Sequence, residues 1–414
     1  MKRVKKPRGI RHDRDCHRCK ARGVKCDLNR PRCQACLQVG EACNYPLRVV
    51  WVQDKKQKVP SSLGLKTDSA QNQLSRIFKN TEHISDADTK STSINLYGFV
   101  DLLDTFYQQI QSSTRSIPEE GIQLISRTLS FARSRLEDAN NGEAIQSHLM
   151  ALTNLSQVIK SAHPIALFGI ATFAMFEVCS GSFGNWHCHL QGARSLLDLH
   201  CRCKADLDDL CSEIAGLADI LAYLVWFDVT GALTSDSPLI FDDWHRETLS
   251  DTFFESVGCP ADTFDLFVYL GKHLKTAGPN IMDLSARAMD QILRLGVAKT
   301  DRNLAATVYQ AAAAIVAFAR AAAVSGDPLT SYQSNVISTM VDRVCDAIAG
   351  IPSTSRFYVH LATPAYLTGM HASTTRQCDI IRGYWRNCQL YDFPRYPDAE
   401  AQCERRWKTC GVRG

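Results

Sequence analysis

Six cysteines organise the N-terminal part of the chain, in the segment Cys16-His17-Arg18-Cys19-Lys20-Ala21-Arg22-Gly23-Val24-Lys25-Cys26, then in Cys33-Gln34-Ala35-Cys36 and at Cys43. They repeat one spacing, C-x2-C-x6-C, with six residues between the two copies. The 414-residue chain has 17 cysteines, and the other eleven are scattered. Because the N-terminus lacks an apolar signal segment, we expect a reducing compartment, where dense and regular cysteines indicate metal ligands.

The number of sulfurs points to two zinc ions. A structural zinc ion takes four thiolates in a tetrahedron. Six sulfurs are too many for one such ion and too few for two separate ions, so two sulfurs must be shared, and the repeat suggests Cys16 and Cys33. Sulfur then fills every coordination position, which makes the site structural rather than catalytic. The repetition argues against one zinc with two spare thiols, an iron–sulfur site or a set of disulfides.

The charge of the chain is unevenly distributed. Residues 1–60 hold 17 Lys or Arg against 5 Asp or Glu, whereas the rest of the chain holds 30 against 38. A basic head on a mildly acidic body is typical of a protein with a polyanion-binding module at one end. Nucleic acid is the expected partner, because residues 1–46 offer few large apolar side chains that could enter a membrane.

The segment from Cys16 to Cys43, with its basic first half and Pro31 in the joint, resembles the fungal Zn2Cys6 binuclear cluster of transcription factors. The resemblance implies two bound zinc ions, with Cys16 and Cys33 as the bridging ligands. It also implies two short helices, each starting near a bridging cysteine, and entry of the first helix into the DNA major groove at a CGG-type triplet. The metal ligands would be Cys16, Cys19, Cys26, Cys33, Cys36 and Cys43.

Basic residues of the first helix are the candidates for reading DNA. We expect Arg18, Arg22 and Lys25 to share the helix face opposite the metal ligands. Gly23 stands where the family commonly carries a base-reading lysine, so base contacts could shift to Arg22 or Lys20. We therefore expect Gly23→Lys to gain affinity for CGG duplexes and to remove a helix-weakening glycine. In the N-terminal arm, Arg8 and Arg11 are candidates for phosphate contacts.

Composition divides the chain into four parts: a basic arm at 1–15, a Zn2Cys6 DNA-binding domain at 16–46, a polar flexible linker at 47–94 and an all-helical domain at 95–414. The linker shows no heptad seam, so a homodimer would form through the helical domain. Apolar periodicity predicts a helix over 96–110. Further helices are predicted near 144–161, 164–180, 186–200, 208–234, 260–275, 300–324 and 333–349.

Parts of this helical region resemble the fungal-specific transcription factor domain that follows such clusters. The similar segments are Asn185–Leu197, Leu224–Val229, Gly258–Pro260 and Thr363–Gly369. The resemblance implies a nuclear, sequence-specific DNA-binding regulator, an activator of a small set of metabolic or biosynthetic-cluster genes. It also suggests that the chain is complete at its C-terminus. The alternative is a helical interaction protein whose zinc module binds a protein partner instead of DNA.

Other classes of protein find little support. The sequence lacks a phosphate-binding loop, a Gly-x-Gly-x-x-Gly turn after a strand and a His-Glu-x-x-His motif, so we do not expect an enzyme. The longest apolar stretches carry Asp219, Asp228, Gln310 and Arg320, which we place on the outer faces of soluble helices rather than in a membrane. A second metal site is disfavoured, because two of its candidate ligands, His187 and His189, point about 200° apart on a helix. The candidates are His187, Cys188, His189, His200, Cys201 and Cys203.

Overall fold

The computed structural model describes residues 16–27, 33–39, 107–108, 117–137, 142–179, 186–235, 237–273, 281–296, 299–325, 329–390 and 399–412. Contacts divide the chain into two compact units, Met1–Lys58 and Val59–Gly414. Several predictions lie outside the described residues: the arm with Arg8 and Arg11, the ligand Cys43, the linker, and the 96–110 helix except for residues 107–108, which are helical.

Two short helices form the described part of the first unit. Helix α1 spans His17–Arg22 and helix α2 spans Gln34–Leu37. Each begins directly after a cysteine of the repeat, Cys16 and Cys33, as the resemblance implies. At the start of α1, the Cys16 sulfur accepts a hydrogen bond from the Cys19 backbone N–H at 3.3 Å. The same sulfur therefore caps a helix end and faces the metal ligands.

Helices dominate the described residues of the second unit, and none of these residues forms a strand. This confirms the all-α prediction. Its helices are α3 Glu119–Glu137, α4 Gly142–Lys160, α5 Ala166–Cys179, α6 Trp186–His200, α7 Lys204–Glu213, α8 Leu217–Ser235, α9 Asp243–Arg246, α10 Asp251–Val257, α11 Ala261–Lys272, α12 Ile281–Leu293, α13 Asp301–Ser325, α14 Ser331–Gly350, α15 Ala362–Gly369, α16 Thr375–Leu390 and α17 Ala399–Thr409.

One predicted helix, 208–234, is two helices in the structure. Helix α7 ends at Glu213, and α8 begins at Leu217. Between them Gly216 has a φ of 78°, in the left-handed region that a helix interior does not use. The prediction was wrong because apolar residues on both sides of the break continue the helical period. Helices α3, α9, α10, α12 and α15 to α17 lay outside the predicted ranges.

Helices from distant parts of the chain meet in the core. All eight residues of α15 are buried, and α15 packs against α8, α13 and α17. On α8, the Trp226 ring stacks on Phe264 at 5.4 Å and meets Tyr309 of α13 edge-on at 5.8 Å. The run of alanines at 311–314 on α13 is fully buried, and such small side chains let neighbouring helices approach closely.

The C-terminal helix α17 is fixed to this core. Trp407 is 1% exposed, and its indole N–H donates to the Gly369 carbonyl at 2.7 Å. Cys403 is fully buried beside Gly369, where an added Cβ would lie 2.8 Å from the sulfur. Arg382 of α16 makes two hydrogen bonds to the Glu404 carboxylate, at 2.5 and 3.1 Å. Residues close to the end of the chain thus complete the fold.

Two helices, Leu217–Ser235 and Asp301–Ser325, are long and apolar enough to span a membrane by length and composition. They are mostly buried inside the protein, 67% and 61% of the apolar window respectively, which is typical of core helices. Their polar residues do not all lie on outer faces as the sequence suggested. Asp219 is exposed, as predicted. However, Asp228 is 1% exposed and Gln310 is 9% exposed, so the outer-face prediction was wrong for these two residues.

Two glycines give a matched test of this packing. Gly258 follows α10 with a φ of 73°, and an added Cβ would lie 2.8 Å from Phe357 and 2.9 Å from Ala305. We expect Gly258→Ala to lower the free energy of unfolding by about 1–3 kcal/mol, because it strains the backbone and overpacks the core. Gly192→Ala, in the interior of α6 with no neighbour within 4 Å, should raise it by about 0.5–1 kcal/mol. Urea unfolding followed by circular dichroism compares the two; equal effects would contradict the packing.

Candidate metal centre and nucleic-acid interface

The cysteine sulfurs of the first unit lie at the spacing of a zinc–thiolate tetrahedron. The sulfurs of Cys16, Cys19, Cys26 and Cys33 are all within 4.8 Å of one another. Two of these separations are 3.9 Å, Cys16 to Cys33, and 3.5 Å, Cys19 to Cys33. A zinc–sulfur bond of about 2.3 Å gives a tetrahedron with edges of about 3.8 Å. These four residues therefore fit one zinc ion.

A fifth sulfur extends the cluster. Cys36 lies 3.7 Å from Cys16, again one tetrahedral edge, although it is not part of the group of four. Cys16 is thus one edge away from both Cys33 and Cys36, which is the position that a ligand shared by two ions would occupy. These distances are far above the bond length of about 2.05 Å in a disulfide, so they do not fit the disulfide alternative.

The burial and close spacing of the sulfurs also favour a bound cation. All five described cysteines of the cluster are at most 5% exposed. Burial, followed by hydrogen bonds of the Cys19 thiol to the neighbouring Cys16 and Cys33 sulfurs, raises the pKa of Cys19 far above its ordinary value. Thiolates at such close range repel one another, and zinc ions supply the positive charge that keeps them deprotonated. The donor set is soft sulfur in a closed, buried arrangement, which suits structural zinc.

Two hydrogen bonds tie the two halves of this unit together. The Asp27 carboxylate accepts from the backbone N–H of Gln34, at the start of α2, at 3.1 Å. The Arg22 guanidinium donates to the Ala35 carbonyl, also at 3.1 Å. Neither contact could be read from the sequence, because each joins residues whose proximity arises only when the sulfurs gather. The Ala35 carbonyl engages one nitrogen of Arg22, a side chain that carries five N–H donors.

The basic side chains lie on and beside α1, and the position of Lys25 differs from the expected one. Arg18, Arg22 and Lys25 are exposed and Lys20 is half-buried. However, α1 ends at Arg22, because Gly23 adopts a left-handed conformation with φ of 67° and donates to the carbonyls of Cys19 and Lys20. Lys25 therefore lies beyond the helix rather than on its face. The structure places it on the segment that leads to Cys26.

The conformation of Gly23 also corrects the expectation that lysine there would stabilise the helix. A residue with a Cβ is strained in the left-handed region, although no atom lies within 4 Å of the site. Gly23 is a helix C-cap, where glycine is the favoured residue, and not a weak point in a helix interior. Gly23→Lys would thus carry a backbone penalty of about 1 kcal/mol.

Within the described part of the second unit, histidines and cysteines do not assemble a comparable site. Among the described residues, the four N-terminal cysteines are the one group of three or more such side chains that could hold an ion. His187 lies one helical turn from Gln191, with their nitrogens 3.3 Å apart, and burial lowers its pKa.

A polar network joins segments of the second unit that resemble the regulatory domain. Arg194 on α6 contacts the carboxylates of Asp198 at 2.7 Å and Asp242 at 2.6 Å. Asp228 on α8 accepts from the backbone N–H groups of Ile240 and Phe241. Burial raises the pKa of Asp228 to about 6, against the lowering effect of these hydrogen bonds and of Arg246. The network holds the segment after α8 onto the helices.

A small all-cysteine zinc module with exposed cations, joined to a helical body, defines a class of DNA-binding regulators. Comparison with protein families bears this out. Residues 14–51 match the fungal Zn(2)-Cys(6) binuclear cluster domain, and residues 126–272 match the fungal specific transcription factor domain. The chain thus carries a cluster domain of the kind that binds two zinc ions and DNA, followed by a fungal specific transcription factor domain, and together the two matches support a DNA-binding transcription regulator of the fungal Zn2Cys6 type. Both domain families are regulatory rather than enzymatic, and their members are typically nuclear. Neither the curated proteins nor the solved structures gave a match.

Zinc content tests which sulfurs are shared. We expect the full chain to bind two zinc ions, Cys19→Ala to keep one, and Cys33→Ala to lose both, because a bridging sulfur serves both ions. Cys43→Ala should likewise be less damaging than Cys33→Ala. Native mass spectrometry under excess zinc counts the ions. A stable species with one zinc in the unaltered chain, or equal zinc content in Cys19→Ala and Cys33→Ala, would rule the shared arrangement out.

The buried Asp228 should make the stability of the second unit depend on pH. Since its pKa in the folded protein is raised to about 6, the folded state binds this proton more tightly than the unfolded state. Lowering the pH from 7 to 5 should therefore stabilise the unaltered chain by about 1 kcal/mol relative to Asp228→Asn, which keeps the shape without the charge. Denaturant unfolding followed by tryptophan fluorescence measures the difference; parallel pH profiles would contradict it.

Proposed function

We propose that the zinc module reads CGG-type triplets and that the protein activates a small set of metabolic or biosynthetic-cluster genes. The observation that carries the DNA-reading part is the arrangement around α1. Three exposed cations, Arg18, Arg22 and Lys25, surround a helix whose start is tied to the metal sulfurs. A rigid helix that presents cations can enter the major groove and donate to guanine edges.

Within this proposal the residues have different tasks. Arg22 is the base reader, because its hydrogen bond to the Ala35 carbonyl orients the guanidinium before DNA arrives and leaves further N–H donors for guanine O6 and N7. Arg18, Lys20 and Lys25 contact phosphates beside it. Arg8 and Arg11 of the predicted arm add phosphate contacts without reading bases. The ligands of the two zinc ions are Cys16, Cys19, Cys26, Cys33, Cys36 and Cys43.

The same proposal covers the organisation of the whole chain. The basic arm at 1–15, the module at 16–46, the linker at 47–94 and the helical domain at 95–414 are its parts, and it acts in the nucleus. Because the linker sequence has no heptad seam, any homodimer forms through the helical domain. The activating role and the gene class rest on what is usual in the family.

Selection of binding sites from random duplex DNA by the full chain tests the DNA-reading part. We expect enriched duplexes to carry CGG-type triplets, and a repeated triplet at fixed spacing would indicate a dimer. Recovery of no common sequence, with a protein that holds two zinc ions, would reject sequence-specific binding and favour the protein-partner alternative.

Two kinds of variant separate base reading from phosphate contact. Arg22→Ala should lower discrimination at one guanine by about 1–3 kcal/mol, with a modest loss of affinity for non-specific DNA. Arg11→Ala should weaken binding to all sequences alike and reduce the salt slope by about one unit, as should Arg8→Ala. Binding across a panel of single-base variants of the selected duplex decides this. If Arg22→Ala weakens every duplex equally, Arg22 is a phosphate contact.

A further inference from the structure

Helix α17, near the C-terminal end of the described residues, carries three neighbouring cations. Arg405, Arg406 and Lys408 on α17 are all exposed, and among the described residues none of them forms an ion pair. Many other arginines of the second unit are paired; Arg382, on the adjacent helix, contacts both Asp379 and Glu404. The cluster also stands out because the chain after residue 60 carries more acidic than basic residues, 38 against 30.

The cluster is held rigidly. Cys403 and Trp407, one helical turn apart, are buried on the inner face of α17, and Arg405 and Lys408 project from the opposite face. The indole hydrogen bond to Gly369 and the Arg382–Glu404 pair fix the helix on α15 and α16. A fixed base reduces the entropy that three long side chains lose when they bind a ligand.

The neighbours of the cluster do not neutralise it. Glu404, the nearest carboxylate along the helix, accepts two hydrogen bonds from Arg382, and Lys408 acts on it only through a smaller coulombic attraction. His371, close to Arg406, has its pKa lowered to about 4, chiefly by burial, so it is neutral at pH 7. The helix C-terminus contributes partial negative charge, about half an elementary charge, which offsets only part of the three positive charges.

We infer that Arg405, Arg406 and Lys408 form a second DNA contact, which binds the phosphate backbone outside the triplet read by the zinc module. The inference rests on DNA binding by that module. A regular line of phosphates is the polyanion that this chain already binds, and three cations within one helical turn suit it without any base contact.

The salt dependence of DNA binding tests this inference. The full chain and the triple variant Arg405→Gln, Arg406→Gln, Lys408→Gln are titrated with a selected duplex several helical turns long, over a range of salt concentrations. Glutamine has a helix propensity similar to that of the residues it replaces, so α17 is kept. The slope of log K against log salt should become shallower by about 0.9 for each phosphate that is no longer neutralised, and by about 2–3 in the triple variant.

A matched control removes the same charge elsewhere. Arg127, Lys160 and Arg202 are also exposed on the second unit and form no ion pair among the described residues. Changing these three to glutamine should leave the slope within about half a unit of the unaltered chain. Equal slope changes in both triple variants would overturn the inference, because net charge alone would then explain them.

Further outcomes are also decisive. If the α17 variant loses thermal stability but keeps the salt slope, the cations serve only the fold of the helix, and the inference is wrong. The inference is also wrong if the triple variant keeps the salt slope of DNA binding but loses binding to an acidic protein. If α17 were to unfold in the triple variant, Arg405→Gln and Lys408→Gln singly should each reduce the slope by about 0.9. Failure of the unaltered chain to bind any duplex would instead reject DNA binding itself.

Discussion

Six sulfurs must fill eight coordination positions around two zinc ions, so two sulfurs must each bind both ions. The structure of the N-terminal unit depends on this sharing. It forces the two copies of the cysteine spacing onto one cluster instead of two separate knuckles. The Cys16 sulfur is one tetrahedral edge from both Cys33 and Cys36, and it also caps α1. The position of α1 is thus determined by the metal centre itself. With so few apolar residues in the unit, little else could hold that helix in place.

The spacing of the cysteines was enough to predict the cluster, because ligand spacing is a local property that coordination chemistry restricts tightly, and the family resemblance implied the two helix starts. The end of α1 could not be obtained in the same way. Gly23 looked like a gap in a basic helical face, but its left-handed φ of 67° makes it the terminus of that face. Periodicity extends a helix until something stops it, and a glycine is compatible with either outcome.

In the helical body, sequence periodicity located most long helices but misjudged which side chains they bury. Asp228 was assigned to an outer face because a charge inside an apolar run ordinarily points to solvent. Its actual partners are the backbone N–H groups of residues 240 and 241, which reach it only after the chain has turned back. A helix that is apolar all round offers no pattern from which an outer face can be chosen. The sequence around Asp228 therefore does not reveal a long-range hydrogen bond of this kind.

The burial of α15 and the anchoring of α17 have a consequence for synthesis on the ribosome. The zinc module needs only the first few dozen residues, whereas the core around α15 remains incomplete until Trp407 has emerged. At about 5–20 residues per second, translation separates the two events by roughly 20–70 s. During that interval the nascent chain carries a folded zinc module and an incompletely folded helical domain whose apolar helices are exposed. Chaperones therefore have a defined period in which to act on this protein. Premature termination near the C-terminus would release a folded zinc module without a folded helical domain.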